Sequence, residues 1–135
     1  MSYLILGIVL VGLAAGQAAA PAGEAEQIAG VWRGTSQCQI KNSPCHDETN
    51  VYRFVLVEGR PTRFRVTGSK IVNGQEIVMG PPALWYWDGS NHAVTYALGN
   101  GHFWLKINGD TMDGGLMLAD MTVYRKIHLE REKDK

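Results

Sequence analysis

The densest group of side chains that could do chemistry is the run Cys45-His46-Asp47-Glu48. Histidine titrates near neutral pH, and a neighbouring carboxylate can orient its ring, so this cluster could act as a general base or bind a metal ion. The alternative is that Asp47 and Glu48 cap backbone amides while His46 faces water. We favour this alternative, because adjacent side chains on an extended chain point in opposite directions and cannot all converge. His46 and Glu48, which share a face, remain the candidate polar site.

The two cysteines have a separate interpretation. Cys38 and Cys45 are the only thiols of the chain, and a turn-forming segment, Asn42-Ser43-Pro44, lies between them. In an oxidising compartment they would form a disulfide that closes a loop of about eight residues and stabilises the fold by roughly 2 to 3 kcal/mol. A metal site with His46 is the alternative, but the spacing is not that of a zinc knuckle and there is no second cysteine pair. We therefore predict a disulfide and no metal site.

Tryptophans are the other group with a chemical use. Trp85 and Trp87 lie two residues apart, so on a strand both indoles would share a face and could stack on a sugar or a flat apolar ligand. Packing in the core, or closure of one end of a barrel, is the alternative for this pair. Pro81-Pro82 precedes them and marks the expected rim of a pocket.

Other reactive residues form no recognisable site. Trp104 shares a face with His102 and Lys106, a pattern that fits a ligand-facing surface or, as we favour, an exposed exterior. Methionine and histidine side chains could ligate copper, but their spacing matches no ligand motif, and methionine commonly fills gaps in cores. The chain has no Gly-x-Ser-x-Gly elbow and no phosphate-binding glycine loop. We predict no catalytic residue and no cofactor.

Short β-strands must position these residues, because the apolar pattern after Ile28 alternates with a period of two. Tyr52, Phe54 and Leu56, for example, share one face while Arg53 lies on the other. Eight or nine such segments are separated by turn signals such as Asn73-Gly74. The segments are 30–37, 51–57, 63–67, 75–79, 83–87, 92–98, 102–107, 111–118 and 121–129.

Short turns between successive strands predict an antiparallel meander. A flat sheet of this length would leave two unpaired edges and an apolar face in water, so it should close on itself. We predict an all-β fold, an antiparallel up-and-down β-barrel of eight or nine strands, with a β-sandwich as the alternative. An eight-stranded barrel is wide enough for packed side chains or for one small ligand, and the sequence leaves both open.

Length and charge limit the class of function. The chain has 135 residues, and its 13 basic and 13 acidic side chains give a net charge of zero. That length suffices for one domain, which we place at residues 28–130. Without a surface rich in lysine and arginine, we predict no nucleic-acid partner.

The first residues differ from the rest. Residues 4–15 form an uncharged apolar run, and Ala18-Ala19-Ala20 follows as a cleavage pattern, so we interpret residues 1–20 as a signal peptide. The run is shorter than the roughly 20 residues that cross a bilayer. We therefore expect a secreted or periplasmic protein with no stable membrane insertion after removal of the signal peptide. Residues 21–27 are interpreted as a flexible lead-in and residues 131–135 as a charged tail.

Two motifs suggest a family. Gly30-Val31-Trp32 and Arg125 resemble the lipocalin signature, in which a G-x-W opens the barrel and an arginine of the last strand packs over the tryptophan. Much of the chain is also similar to a group of small secreted bacterial proteins of uncharacterised function, with the pattern W-x-G-T-S-x-C followed by S-P-C-H-D-E, here 32–38 and 43–48. These resemblances imply a lipocalin-like (calycin) barrel, export and, by analogy of fold, a small hydrophobic ligand.

We therefore expect an exported lipocalin-like protein that binds an apolar or aromatic small molecule; its oligomeric state is left open. The alternatives are an extracellular interaction module that uses the Cys38–Cys45 loop and, less favoured, a barrel enzyme that uses His46 or Glu48. The expected ligand-lining residues are drawn from Trp85, Trp87, Trp104, Tyr52 and Phe54.

Overall fold

The computed structural model describes residues 22–133, so the predicted signal peptide lies outside the described residues. One short helix, α1 (Ala22–Glu26), precedes nine strands. These are β1 (Gly30–Cys38), β2 (Glu48–Leu56), β3 (Arg63–Val72), β4 (Gln75–Val78), β5 (Ala83–Asp88), β6 (Ala93–Leu98), β7 (Gly101–Asn108), β8 (Thr111–Leu118) and β9 (Val123–Arg131). Each strand overlaps one of the segments that the period of two predicts.

Eight strands close into an antiparallel barrel. The ring runs β1-β2-β3-β5-β6-β7-β8-β9 and returns to β1, which pairs with both β2 and β9. β4 is the extra strand and pairs with the last residues of β3, beside the part of β3 that pairs with β5. The up-and-down barrel prediction is confirmed, and no β-sandwich forms, because the first and last strands of the meander hydrogen-bond to each other.

The two ends of the barrel are built differently. At the closed end lie the start of β1, the end of β9 and the turns β2–β3, β5–β6 and β7–β8. At the open end lie the β1–β2 loop, the β3–β4–β5 connections and the turns β6–β7 and β8–β9. The largest apolar side chains with essentially no exposure include Trp32, Phe54, Phe64, Leu105 and Leu129. They project inward because they occupy alternate positions along their strands.

The N-terminal segment covers the closed end. The sequence predicts a flexible lead-in over residues 21–27, but residues 22–26 form α1, and Ala25 and Ile28 are buried in the core cluster. The indole N–H of Trp32 donates to the Ile28 carbonyl at 2.9 Å. This helix is too short to be stable alone, so its burial against the barrel explains why it forms.

The hairpin from β3 to β4 follows its local sequence. Asn73 and Gly74 both have positive φ, 51° and 77°, which the two-residue I′ turn between antiparallel strands requires. Outside the barrel, Arg53 of β2 donates to both carboxylate oxygens of Glu76 in β4, at 2.8 and 2.9 Å. Because β3 lies between these strands, the ion pair crosses β3 and fastens β4 to the barrel wall.

A histidine on the outer wall is held by two carboxylates. The Nδ1 atom of His128 lies 2.5 Å from Oδ1 of Asp113 on β8, and its Nε2 lies 3.5 Å from Glu130. The hydrogen bond to Asp113, together with the weaker one to Glu130, raises the pKa of His128 above its ordinary value. The charged imidazole is therefore favoured in the folded protein.

Candidate functional site

An open cavity of about 360 Å³ lies in the open half of the barrel. Its volume lies within the range usual for small-molecule sites. The lining is mainly apolar and aromatic and consists of Tyr52, Val66, Gly68, Met79, Pro81, Pro82, Ala83, Trp85, Tyr96, Leu98 and Phe103. Two inner-wall positions of the open half leave the space of the cavity free: Gly68 has no side chain, and Ala83 has only a methyl group. The inner wall of the closed half carries large side chains instead.

Trp85 is the centre of the aromatic wall. Its ring stacks on Tyr96 with centroids 5.6 Å apart and planes 14° from parallel, and it lies 5.3 Å from Phe103. Tyr52 meets it edge-on at 6.1 Å, and Phe54 does so at 5.6 Å from the core side. These contacts hold each ring in one orientation, so the apolar surface exists before any ligand arrives.

The cavity opens sideways through a gap in the barrel wall. The β5–β6 ladder contains only the pairs Tyr86–Thr95, Trp87–Val94 and Asp88–Ala93. Residues 83–85 and 96–98 therefore have no partners in the facing strand, although all belong to strands. Residues that line the cavity lie on both sides of this gap, and the segment 79–82 lies beside it. A small molecule could enter here without unfolding the ladder.

A polar cluster lies across the open end from the aromatic wall. Arg125 donates to the Ser36 hydroxyl at 3.2 Å and to the His46 carbonyl at 3.0 Å, and its guanidinium lies 3.6 Å from the Glu48 carboxylate. The amide of Asn50 donates to Glu48 at 3.2 Å. The charge of Arg125 is therefore paired with that of Glu48, and its Nη1 group is hydrogen-bonded, as a partly buried cation requires.

Tyr52 connects the cavity to this polar cluster. Its side chain is nearly buried, and burial, followed by the negative charge of Glu48, raises the pKa of its hydroxyl to about 12, against a smaller lowering effect of Arg125. The hydroxyl therefore stays protonated at any physiological pH and can donate a hydrogen bond.

The expected ligand-lining residues are not all at the cavity. Tyr52 and Trp85 line it, whereas Phe54 packs beneath Trp85 in the core cluster. Trp87 lies at the closed end, where it helps line a small cavity of about 80 Å³ with His92. β5 runs toward the closed end, so Trp87, two residues further along the same face, lies deeper in that direction than Trp85 does.

Trp104 does not reach the interior. It is 37% exposed and lies on the outer wall beside Gly115, its partner in β8, over an apolar groove that also includes Met117 and Val123. The inward positions of β7 belong to Phe103 and Leu105. Trp104 therefore occupies the exterior position that we favour from its exposed-strand pattern, and it must be removed from the set of lining residues.

The arginine that covers Trp32 is Arg131, and the expectation for Arg125 is wrong. The Arg131 guanidinium lies 4.4 Å from the Trp32 ring centroid and donates to the carbonyls of Ala29 and Gln27. The antiparallel register decides this, because Trp32 pairs with Arg131 whereas Cys38 pairs with Arg125. Arg131 also ends β9, so the predicted charged tail begins inside a strand.

The disulfide between Cys38 and Cys45 is confirmed. The loop it closes is also held by Asp47, which accepts a hydrogen bond from the Cys38 amide at 2.8 Å. His46 contributes its backbone carbonyl to Arg125, while Glu48 contributes its carboxylate. Arg125 thus joins the His46 carbonyl and the Glu48 carboxylate, while the His46 residue is exposed. Asp47 caps an amide as the alternative interpretation expects, but Glu48 pairs with Arg125 instead of capping one.

Two aromatic residues of the cavity were missed as ligand-lining positions, although a signal for them existed. Tyr96 lies two residues after the buried Val94 on β6, and Phe103 lies two residues before the buried Leu105 on β7. Alternation alone would have placed both on the inner wall. Met79 could not be found in this way, because it belongs to the connection after β4.

Within residues 22–133, no group of three or more histidine, cysteine, aspartate or glutamate side chains is arranged to hold a metal ion. The same residues include no helix long and apolar enough to span a membrane. No protein-family model and no curated protein matches the chain. The cavity geometry therefore carries the functional argument.

Proposed function

We propose that this protein is an exported, lipocalin-like carrier that binds a small apolar or aromatic molecule in the cavity beside Trp85. The single observation that carries the proposal is an open volume of about 360 Å³ inside a barrel whose other end has only a small cavity of about 80 Å³. A barrel that needed only a core would be expected to fill this space too, because packing vacant apolar volume stabilises a protein.

The surroundings of the cavity support binding rather than catalysis. Glu48 and Arg125, the charged groups that act on the cavity-lining Tyr52, are paired with each other. The disulfide loop directs its His46 carbonyl inward to Arg125, so we assign it to supporting the rim of the cavity. Export is supported by the disulfide, which persists in oxidising compartments.

A direct test uses a neutral dye, N-phenyl-1-naphthylamine, whose fluorescence rises in apolar surroundings. We expect saturable binding to the wild-type protein. Ala83→Phe should lower dye affinity by about tenfold or more, because the added ring would occupy the cavity that Ala83 lines. Leu84→Phe is the matched control, since the neighbouring side chain is 39% exposed and on the other face.

The two variants separate the cavity from the outer surface. Equal loss in both, or unchanged binding by a folded Ala83→Phe protein, would overturn the proposal. Circular dichroism and the urea midpoint establish that each variant is folded. Mass spectrometry of protein purified natively from its host, under non-denaturing conditions, should also show an added small-molecule mass that the Ala83→Phe variant lacks.

A further inference from the structure

The lining of the cavity limits the chemistry of its ligand. None of the eleven lining residues is acidic, basic or a histidine. The polar side-chain groups among them are the hydroxyls of Tyr52 and Tyr96 and the indole N–H of Trp85, and each of these can donate a hydrogen bond. A charged ligand would lose its hydration at this wall without gaining an opposite charge, which is costly.

Of the two hydroxyls in the lining, that of Tyr52 belongs to the more buried residue. Tyr52 is 7% exposed, whereas Tyr96 is half-buried and can reach water. No hydrogen bond contributes to the perturbed pKa of the Tyr52 hydroxyl. Among residues 22–133, Ser69 Oγ alone is a fully sealed side-chain polar atom without a partner, so the Tyr52 hydroxyl reaches accessible space. A hydroxyl donor on a nearly buried residue that opens to the cavity favours a ligand that supplies an acceptor.

The cation that acts on the Tyr52 hydroxyl is already paired with an acid. Arg125 already contacts Glu48, Ser36 and the His46 carbonyl. Glu48 has a larger electrostatic effect on the Tyr52 hydroxyl than Arg125 has. A carboxylate placed at Tyr52 would therefore find no unpaired cation described beside it, whereas a neutral oxygen needs none.

We propose that the cavity selects an uncharged, flat aromatic molecule that carries a carbonyl or ether oxygen, and that the Tyr52 hydroxyl donates a hydrogen bond to this oxygen. The inference rests on the proposed function and names the ligand class for the same site. The ring of the ligand lies against Trp85 and Phe103, and its oxygen points toward the polar side of the open end.

The test compares three ligands of similar size by isothermal titration calorimetry: naphthalene, 2-acetylnaphthalene and 2-naphthoate. One neutral hydrogen bond corresponds to about a fivefold gain in affinity, so 2-acetylnaphthalene should bind about fivefold more tightly than naphthalene. The anion 2-naphthoate should bind more weakly than either. Tyr52→Phe should remove the advantage of the ketone and leave naphthalene affinity unchanged or higher.

Tyr86→Phe is the matched control, because it removes the same hydroxyl outside the cavity. Tyr86 is 42% exposed on the outer wall, where Arg63 lies over its ring. It should leave all three affinities unchanged. If naphthalene binds but the ketone gains nothing, or if Tyr52→Phe leaves the ketone advantage intact, this inference is wrong while the proposed function stands. If none of the three ligands binds the wild-type protein, both are wrong.

Discussion

Gly34→Ala tests the closure of the barrel most directly. Gly34 lies on β1 opposite Leu129 of β9, at the seam where the last strand meets the first. A Cβ atom at Gly34 would lie 1.9 Å from the backbone carbonyl oxygen of His128 and 2.8 Å from the Cα of Leu129. Cβ atoms essentially never approach closer than 3.0 Å, so the two strands would have to move apart.

The sign of the effect is what makes the prediction informative. Replacing an unconstrained glycine in a strand by alanine stabilises a protein by about 0.5 to 1 kcal/mol, because the unfolded chain loses freedom. Here the displaced carbonyl belongs to backbone, which cannot rotate away. Weakening about two ladder hydrogen bonds at about 1 kcal/mol each, with some loss of packing around Trp32 and Leu129, predicts a net destabilisation of about 3 kcal/mol.

Urea unfolding measures this change. At a slope of about 2 kcal/mol per molar, the midpoint should fall by roughly 1 to 2 M. Gly99→Ala is the control, because no atom lies within 4 Å of the Cβ position in that turn. It should leave the free energy of unfolding unchanged or raise it by up to about 1 kcal/mol. A Gly34→Ala protein as stable as wild type would show that β1 and β9 do not pair as described.

Three further outcomes follow from named contacts. Because the pKa of His128 is raised in the folded protein, its charged form stabilises the fold fully below the unfolded pKa of about 6.5. This stabilisation is lost as the pH rises through the folded pKa. The free energy of unfolding should therefore decline with pH more in the wild-type protein than in His128→Gln. Replacing Cys38 and Cys45 together by serine should cost about 2 to 3 kcal/mol, measured by urea unfolding, and reduction of the wild type should add the mass of two hydrogens. Arg131→Met should lower stability by roughly 1 to 3 kcal/mol, because Trp32 loses its covering guanidinium and two carbonyls lose a donor.

Each outcome has a control or a contrary result. Arg33→Met should have little effect, because Arg33 is half exposed and its contact with Glu132 is 3.9 Å long. Equal losses at Arg33 and Arg131 would mean that the closed end does not depend on the Trp32 contact. A His128→Gln protein whose pH dependence matches that of wild type would show that Asp113 does not hold a charged imidazole. Unchanged stability after the double serine replacement would show that the loop needs no crosslink.

The strands and their faces could be predicted because alternation is a local property. The inward positions of β2, Tyr52 and Phe54, depend only on the pleat of the chain and on which residues are apolar. The Asn73-Gly74 turn follows from the tolerance of both residues for positive φ. The disulfide follows from two thiols separated by a short turn.

The members of the candidate site could be predicted only in part. Pro81 and Pro82 do lie at the rim, and Tyr52 and Trp85 do line the cavity. Trp87 shares a face with Trp85, as alternation requires, yet it faces the closed end. The face of a strand decides whether a side chain points into the barrel. Which end of the barrel it lies near depends on its position along the strand and on the residues of the neighbouring strands.

Sequence alone determined that this chain alternates inward and outward side chains and that it turns often, and it favoured a barrel over a sandwich and a disulfide over a metal site. Only the tertiary structure decided the pairing between strands. It placed Arg131 over Trp32, it paired Arg125 with Glu48, and it left a cavity beside Trp85. Alternation is a property of neighbouring residues, so the sequence shows it directly. Register and cavity volume depend on strands that are distant in the chain and pair only when the barrel closes.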